Sequence, residues 1–135
     1  MVIDTSAFLA ILQDEPERRS FNEAIEAAER RAMSTATFVE TSIVIEARYG
    51  ADGLRDLDLF VARAAIDLVP VDAEQAHVAR LAFGRFGRGR HPAALNFGDC
   101  FSYALARVLG APLLYKGADF AQTDIAAVAV AAICS

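Results

Sequence analysis

Short apolar segments alternate with longer amphipathic segments along this chain, and this alternation limits the folds that it can adopt. Each apolar segment has the length of a buried strand. The segments are MVID at residues 1–4, AMST at 32–35, IDLVPV at 66–71 and the start of APLLYKGADF at 111–120. Strands that alternate with helices predict an α/β layered fold, with a central, mainly parallel sheet of about four to five short strands flanked by helices.

The segments between the strands carry apolar residues at helical spacing. The predicted helices cover residues 5–12, 15–31, 36–50, 53–65, 72–86 and 95–110. Pro70 favours an edge position for the third strand, because proline cannot donate a hydrogen bond to a neighbouring strand. The segment IAAVAVAAICS, residues 125–135, is predicted to form a final strand or a packed end.

The composition is typical of one soluble domain. The chain has 135 residues, 55% hydrophobic and 23% charged, so residues 1–135 are predicted to form a single domain with its own core. No apolar run approaches the roughly 20 residues that cross a bilayer, and the start MVIDTSAF does not resemble a signal peptide. Two cysteines, Cys100 and Cys134, are too few for a disulfide framework. We therefore expect a cytoplasmic protein without membrane contact.

Three aspartates occupy positions where α/β proteins place functional groups. Asp4 follows the first predicted strand and Asp119 follows the last, so both should lie at the carboxyl edge of the sheet. Asp99 stands in the first turn of a predicted helix, and the alternation of strands and helices brings that turn to the same edge. The sequence therefore predicts a shared acidic pocket there.

Glu40 belongs to a largely apolar helix. In the segment ATFVETSIVIEARYG it shares a face with Ile43, Val44 and Ala47. Burial of an unpaired carboxylate costs several kcal/mol or more, so an arginine or a cation is expected to meet this side chain. Pairing with Arg48 is one alternative, and a metal shared with the aspartates is the other.

Four carboxylates around one pocket would repel one another unless positive charge lay between them. Mg²⁺ or Mn²⁺ would meet this need, because hard cations prefer oxygen ligands. Zinc is not indicated, since His77 and His91 stand apart and neither cysteine has a CxxC partner. Each aspartate also has a purely structural interpretation, because Asp4 and Asp99 could cap helices and Asp119 could stabilise a turn.

The segment FGRFGRGRHP is locally basic on an acidic chain. It carries Arg85, Arg88 and Arg90 and no acid, although the net charge of the chain is −5. A guanidinium binds phosphate through a planar fork of donors, so these arginines are candidate phosphate contacts. A flexible, solvated glycine-rich loop is the alternative.

Four segments together strongly resemble the PIN domain, and specifically the VapC-type toxins of bacterial toxin–antitoxin pairs. They are VIDTSAFLAIL, STATFVETSIVIEAR, HPAALNFGDCFSYALA and LLYKGADFAQTD, which occur in family order and span essentially the whole chain. The D-T-S start and the N-F-G-D-C segment are the most specific. The resemblance implies a PIN-like fold and a metal-dependent ribonuclease.

The resemblance also implies roles for individual side chains. The implied catalytic residues are Asp4, Glu40, Asp99 and Asp119. Asp4 and Asp99 match the acids that commonly hold Mg²⁺ directly, with Mn²⁺ as a substitute, whereas Glu40 and Asp119 match acids that complete the pocket, often through water. Ser6 matches the hydroxyl residue that supports the first acid.

The implied reaction is hydrolysis of an RNA phosphodiester by a metal-activated water, with Arg85, Arg88 and Arg90 as candidate RNA contacts. Asp124 and Glu46 have weaker claims to a ligand role. The resemblance implies further partners: a cognate antitoxin that obstructs the site, a second copy in a homodimer, and larger toxin–antitoxin assemblies. Promoter DNA would be bound only through the antitoxin.

Two other functions compete with the nuclease. A phosphoaspartate receiver also has an aspartate after an early strand, and Lys116 matches its late lysine, but Thr5 and Ser6 stand where a second acid would be needed. The other alternative is a catalytically silent module that binds a partner or RNA. Metal-dependent cleavage would distinguish that module from the nuclease.

Overall fold

The computed structural model of this chain describes residues 1–132. The elements are β1 (Val2–Ile3), α1 (Thr5–Leu12), α2 (Arg18–Ala27), β2 (Ala32–Ser34), α3 (Thr35–Arg63), β3 (Asp67–Val69), α4 (Ala73–Phe86), α5 (Phe97–Leu109), β4 (Leu113–Leu114) and a 3₁₀ turn, η1 (Phe120–Gln122). Within these residues the strands form a four-stranded parallel sheet in the order β3-β2-β1-β4. The predicted α/β layered fold is confirmed.

Successive residues of the inner strands pack into two different cores, because side chains alternate across a sheet. On one face, α4 and α5 cover Val2, Ala32 and Leu113. On the other face, α1, α2 and α3 cover Ile3, Met33 and Leu114. Since β1 and β4 are two residues long and fully buried, the chain reaches the carboxyl edge of the sheet directly after them.

Helix α3 contains a sharp break at Gly50, where φ is 66° and ψ is −153°. This left-handed backbone is readily available to glycine and strained for other residues. The two helices predicted for residues 36–50 and 53–65 are therefore both present, joined within one element. At Gly53 an added Cβ would lie 2.7 Å from the Cβ of Tyr49, so glycine permits close packing beside the break.

The two edges of the sheet differ. Strand β3 is an edge strand with Asp67 and Leu68 exposed, as the proline after it predicted. The opposite edge, at β4, is covered by the C-terminal segment through a single parallel bridge between Leu113 and Ala127. Residues 125–132 are thus a packed end rather than a regular strand. The remainder of that predicted segment, with Cys134, lies outside the described residues.

The predicted boundaries of two helices were wrong. Helix α2 ends at Ala27, well before the predicted Arg31, because the backbone turns extended at Ala28. Helix α5 begins at Phe97 rather than at Leu95, since Asn96 is its N-cap. None of the helices in residues 1–132 is long and apolar enough to span a membrane.

Candidate active site

Asp4 lies at the carboxyl end of β1, near the middle of the sheet, and is only 3% exposed. It caps the N-terminus of α1. Its Oδ2 atom accepts hydrogen bonds from the Ser6 amide at 3.0 Å and from the Ser6 hydroxyl at 2.7 Å. Its Oδ1 atom accepts a hydrogen bond from the Ser102 hydroxyl at 2.6 Å. These donors satisfy both oxygens of the buried carboxylate and fix its orientation.

A set of hydroxyl groups links the elements around this carboxylate. Thr5 donates to Glu40 Oε1 at 2.7 Å, and Thr41 donates to the Thr5 hydroxyl at 3.0 Å. The Thr37 and Ser102 hydroxyls lie 3.2 Å apart in the same buried layer. Helices α1, α3 and α5 are therefore joined by side-chain hydrogen bonds beneath the acidic pocket.

Glu40 reaches the pocket from α3 and rests against the backbone of α5. A Cβ added to Gly98 would lie 2.5 Å from the Glu40 carboxyl carbon, far inside ordinary contact distance. Glycine at this position therefore allows the Glu40 carboxylate to approach α5. Glu40 therefore contacts the residue that directly precedes Asp99 in the chain.

The expectation that Glu40 lies on a buried apolar face was wrong. Ile43 is 63% exposed, Ala47 is also exposed, and Glu40 itself is half-buried. The core-facing side of α3 carries Thr41 and other residues instead. Arg48 does not meet Glu40, because its guanidinium donates to Gln13. The hydrogen bond that Glu40 receives comes from a neutral hydroxyl.

Asp99 lies in the first turn of α5. It completes a capping box with Asn96: the Asp99 amide donates to Asn96 Oδ1 at 2.8 Å, and the Asn96 amide donates to Asp99 Oδ2 at 3.0 Å. The pKa of Asp99 is raised to about 6, mainly by burial and also by the charges of Asp4, Glu40 and Asp119, while the hydrogen bond from Asn96 acts in the opposite direction. The other three predicted acids are thus close enough to Asp99 for their charges to affect its pKa.

Asp119 follows β4 and precedes η1, as the sequence predicted, and its side chain is exposed. Its negative charge contributes to the raised pKa of Asp99. Asp119 therefore stands at the solvent side of the pocket, whereas Asp4 forms its buried end. Glu46 is exposed on α3.

The donors of the pocket fit a hard divalent cation. All four are carboxylates, and every charge that shifts the pKa of Asp99 is negative, so a cation would relieve their repulsion. Among residues 1–132, no three His, Cys, Asp or Glu side chains are gathered closely enough to enclose a metal by themselves. Mg²⁺ does not need such a cage, because it usually binds one or two carboxylates and keeps several waters. The division into direct and water-mediated ligands stays a prediction.

Asp124 has a structural role. Its Oδ1 atom accepts a hydrogen bond from the Tyr103 hydroxyl at 2.5 Å, and its Oδ2 atom lies 3.0 Å from Arg107 and 3.4 Å from Arg85. The Tyr103 hydrogen bond and both arginines lower the pKa of Asp124. This cluster fastens the C-terminal segment to α5.

The three predicted RNA contacts differ in their surroundings. Arg85 pairs with Asp124 and lies 4.7 Å above the Phe86 ring, so its guanidinium is already engaged. Arg90 lies 5.7 Å from the centroid of the Phe83 ring. Arg88 is exposed, and no ion pair to it occurs in the described part of the chain. RNA binding by these three residues stays a prediction.

Lys116 forms ion pairs outside the set of four predicted acids. Its ammonium group pairs with Glu15 and, at 3.2 Å, with Glu17. Its backbone amide donates to the Ser6 hydroxyl at 3.0 Å. Lys116 therefore ties the loop after β4 to the loop before α2, and its side chain is not placed as a receiver lysine would require.

Several residues of the pocket were missed in the sequence. Ser102 stands three residues after Asp99 on α5, and Thr37 and Thr41 belong to one face of α3, but isolated hydroxyl residues on helices carry no distinctive signal. Asn96 could have been found, because an N-cap residue followed three positions later by an acid is a capping-box pattern. Cys100 is buried beside Asp99, and burial raises the pKa of its thiol to about 11, so it is an unreactive packing residue.

Comparison with known families identifies this fold. The family model described as the PIN domain matches residues 1–126. The chain belongs to the PIN-domain family. A similar relative is the ribonuclease VapC30 of Mycobacterium tuberculosis, which is 58% identical over 130 residues, covering 96% of this chain and 99% of the relative. A ribonuclease VapC of Mycolicibacterium smegmatis is 59% identical over 128 residues, covering 95% and 99%.

A solved structure of much lower sequence identity shares the fold of this PIN domain. The crystal structure of Mycobacterium tuberculosis VapC20, a toxin that cleaves the sarcin–ricin loop, superposes with a TM-score of 0.74 at 16% identity. The match covers 92% of this chain and 95% of the other. The agreement therefore extends over nearly the whole length of both chains.

Proposed function

We propose that this PIN-domain chain is a metal-dependent ribonuclease, acting in the cytoplasm as the toxin of a toxin–antitoxin pair. The observation that carries the proposal is the convergence of three negative charges, from three separate elements, on Asp99. Such mutual repulsion suits a site that takes up a cation and then an anionic substrate. Close similarity to proteins named VapC ribonucleases supports the same function.

In this proposal Asp4 and Asp99 hold Mg²⁺ directly, with Mn²⁺ as a substitute. Glu40 and Asp119 contact the water molecules around it. A metal held by these residues would supply positive charge against the phosphodiester and would lower the pKa of an attacking water. The oxygen-only donor set supports this assignment, since it favours hard cations over zinc.

The side chains of the chain then have defined tasks. Ser6 and Ser102 hold both oxygens of Asp4 in a fixed orientation, and Thr5 holds one oxygen of Glu40. The second Glu40 oxygen orients the attacking water and accepts its proton. A bond forms between the water oxygen and phosphorus, and the bond from phosphorus to the 3′ oxygen breaks. The 3′ oxygen takes up a proton, so the products carry a 5′-phosphate and a 3′-hydroxyl.

A cognate antitoxin is the proposed regulatory partner. Val39 and Ile43 flank Glu40 on α3 and are 55% and 63% exposed, so the rim of the pocket offers apolar surface that a protein segment could cover. We also infer a homodimer and larger toxin–antitoxin assemblies, with promoter DNA bound through the antitoxin. The proposal does not require the chain itself to contact DNA.

Cleavage assays test the enzymatic part. The purified chain, free of antitoxin, is incubated with structured RNAs including tRNA, in Mg²⁺, in Mn²⁺ and in EDTA, beside Asp99→Asn. Cleavage that requires metal and is lost in Asp99→Asn is the expected result. Equal cleavage by both proteins would contradict the assigned site, and RNA binding without cleavage by folded, metal-supplied protein would support the catalytically silent module instead.

A further inference from the structure

An aromatic cleft lies between α4 and α5, outside the carboxylate pocket. Its walls are Phe83, Phe97 and Phe101, its floor is formed by Ala79 and Cys100, and Arg80 stands at its rim. The volume is about 370 Å³. None of these residues has a task in the proposed hydrolysis, so the cleft is available for another purpose.

Phe97 is unusually exposed for an aromatic side chain. Its exposure is 79%, although it is the first residue of a well-formed helix. The Phe101 ring packs against it edge to face at 4.9 Å between centroids, which supports the Phe97 ring from one side and leaves the rest uncovered. Phe83 is 37% exposed across the cleft. A large apolar ring held open to solvent in this way is typical of a binding surface.

Arginines stand beside the aromatic walls of the cleft. Arg80 is exposed at the rim, and the Arg90 guanidinium lies 5.7 Å from the Phe83 ring centroid. Neither arginine forms an ion pair with an acid within residues 1–132, and no acid lines the cleft. On a chain with a net charge of −5, this combination favours a ligand that is anionic and presents flat apolar faces.

We infer that this cleft binds an unpaired base of the RNA strand, with Phe97 as the stacking surface and Arg80 and Arg90 beside the flanking phosphates. The inference rests on the proposed ribonuclease function and adds to it a binding site for one base, with the residues that form it. Single strands are commonly bound by aromatic rings that stack on bases and by arginines that follow the backbone. Phe97 precedes Asp99 by two residues on a helix roughly 10–12 Å across, so a few nucleotides span the two sites.

A second copy of this chain fits the cleft less well. A two-fold symmetric interface has to be complementary to itself, so a patch that contains guanidinium groups should also contain the acids that meet them. Arg80 lines the cleft, Arg90 lies beside its Phe83 wall, and no acid lines it. Charge complementarity therefore favours a polyanion over another copy of the same face.

RNA binding in EDTA tests the inference without cleavage. The probe is a short single-stranded RNA with 2-aminopurine at single positions, compared with the same sequence as a duplex. Phe97→Ala should weaken single-strand binding by about tenfold and abolish the quenching of one 2-aminopurine position, whereas Phe97→Tyr should bind within about twofold of wild type. Leu109→Ala is the matched control, since Leu109 is a 51% exposed apolar residue at the other end of α5; it should leave binding unchanged.

The outcomes test base binding in the cleft and the proposed nuclease activity independently. Unchanged binding in Phe97→Ala, or equal loss in Leu109→Ala, overturns the inference, and metal-dependent cleavage by wild type then leaves the proposed function intact. Wild-type protein that neither binds nor cleaves RNA overturns both. Light scattering tests whether a second copy of this chain occupies the cleft. A lower oligomeric mass for Phe97→Ala, with RNA affinity unchanged, would assign the cleft to that second copy.

Discussion

Gly98→Ala should reduce RNA cleavage by this protein while changing its stability little. The added methyl group would lie 2.5 Å from the Glu40 carboxyl carbon, whereas ordinary contacts begin at 3.4 Å. Glu40 Oε2 would lie closer still, so the carboxylate must retreat by at least about 1 Å. A displacement of that size in a reacting geometry costs roughly 100-fold in rate. We expect metal-dependent RNA cleavage to fall by about that factor.

The effect on folding should be small, because two opposing changes nearly cancel. Alanine is favoured over glycine in a helix by about 0.5–1 kcal/mol. Displacement of Glu40 weakens its hydrogen bond from Thr5, a loss of about 1–1.5 kcal/mol for a half-buried pair. The free energy of unfolding should therefore stay within about 1 kcal/mol of wild type.

Gly84→Ala provides the matched control for this experiment. Gly84 also lies within a helix, and an added Cβ there would meet no atom within 4 Å. It should gain up to about 1 kcal/mol of stability and cleave at the wild-type rate. Single-turnover cleavage and urea unfolding are measured on all three proteins. A folded Gly98→Ala protein that cleaves within about threefold of wild type would refute the placement of Glu40 in the reaction.

The charges of Asp99, Asp124 and the arginines should affect stability and RNA binding in measurable ways. Because the folded-state pKa of Asp99 is raised to about 6, the metal-free folded protein binds this proton more tightly than the unfolded chain. Its free energy of unfolding should therefore fall as the pH rises from about 4 to about 6, and Asp99→Asn should remove this dependence and stabilise the metal-free protein at pH 7 by ~1 kcal/mol. The hydrogen bond from Tyr103 to Asp124 should give a coupling energy of about 1–2 kcal/mol at pH 7 in a double-mutant cycle of Tyr103→Phe and Asp124→Asn. The pKa of Asp124 is lowered and that of Tyr103 is raised to about 12, so the coupling should be lost as the pH falls below about 4 and again as it rises from about 10 towards 12. Arg85→Ala should lower the free energy of unfolding through its ion pair with Asp124, whereas Arg88→Ala should leave stability unchanged and reduce the slope of log Kd against log salt for RNA by about 0.7.

Local sequence signals predicted the parts of the fold that depend on neighbouring residues. The alternation of strands and helices, the break at Gly50 and the edge position of β3 before Pro70 all depend on backbone preferences that a few residues determine. The position of Asp4 directly after β1 followed from the same signals. Fold class and the carboxyl edge were therefore accessible from the sequence.

Contacts between residues far apart in the chain could not be predicted from local sequence patterns. Ser102 donates to Asp4 across 98 positions of the chain, and Arg85 meets Asp124 across 39 positions, so no local pattern contains either pair. The buried face of α3 was also misjudged. That helix carries apolar residues on more than one side, and only the packing of the whole domain selects which side is covered.

The way in which the pocket is held together bears on its function. Asp4 and Glu40 receive hydrogen bonds from hydroxyl groups rather than ion pairs from arginine. Two cations of the adjoining elements are engaged elsewhere, Lys116 with two glutamates and Arg107 with Asp124. Neutral donors fix the positions of carboxylates without cancelling their charge, so the pocket keeps a negative potential that an internal salt bridge would have neutralised.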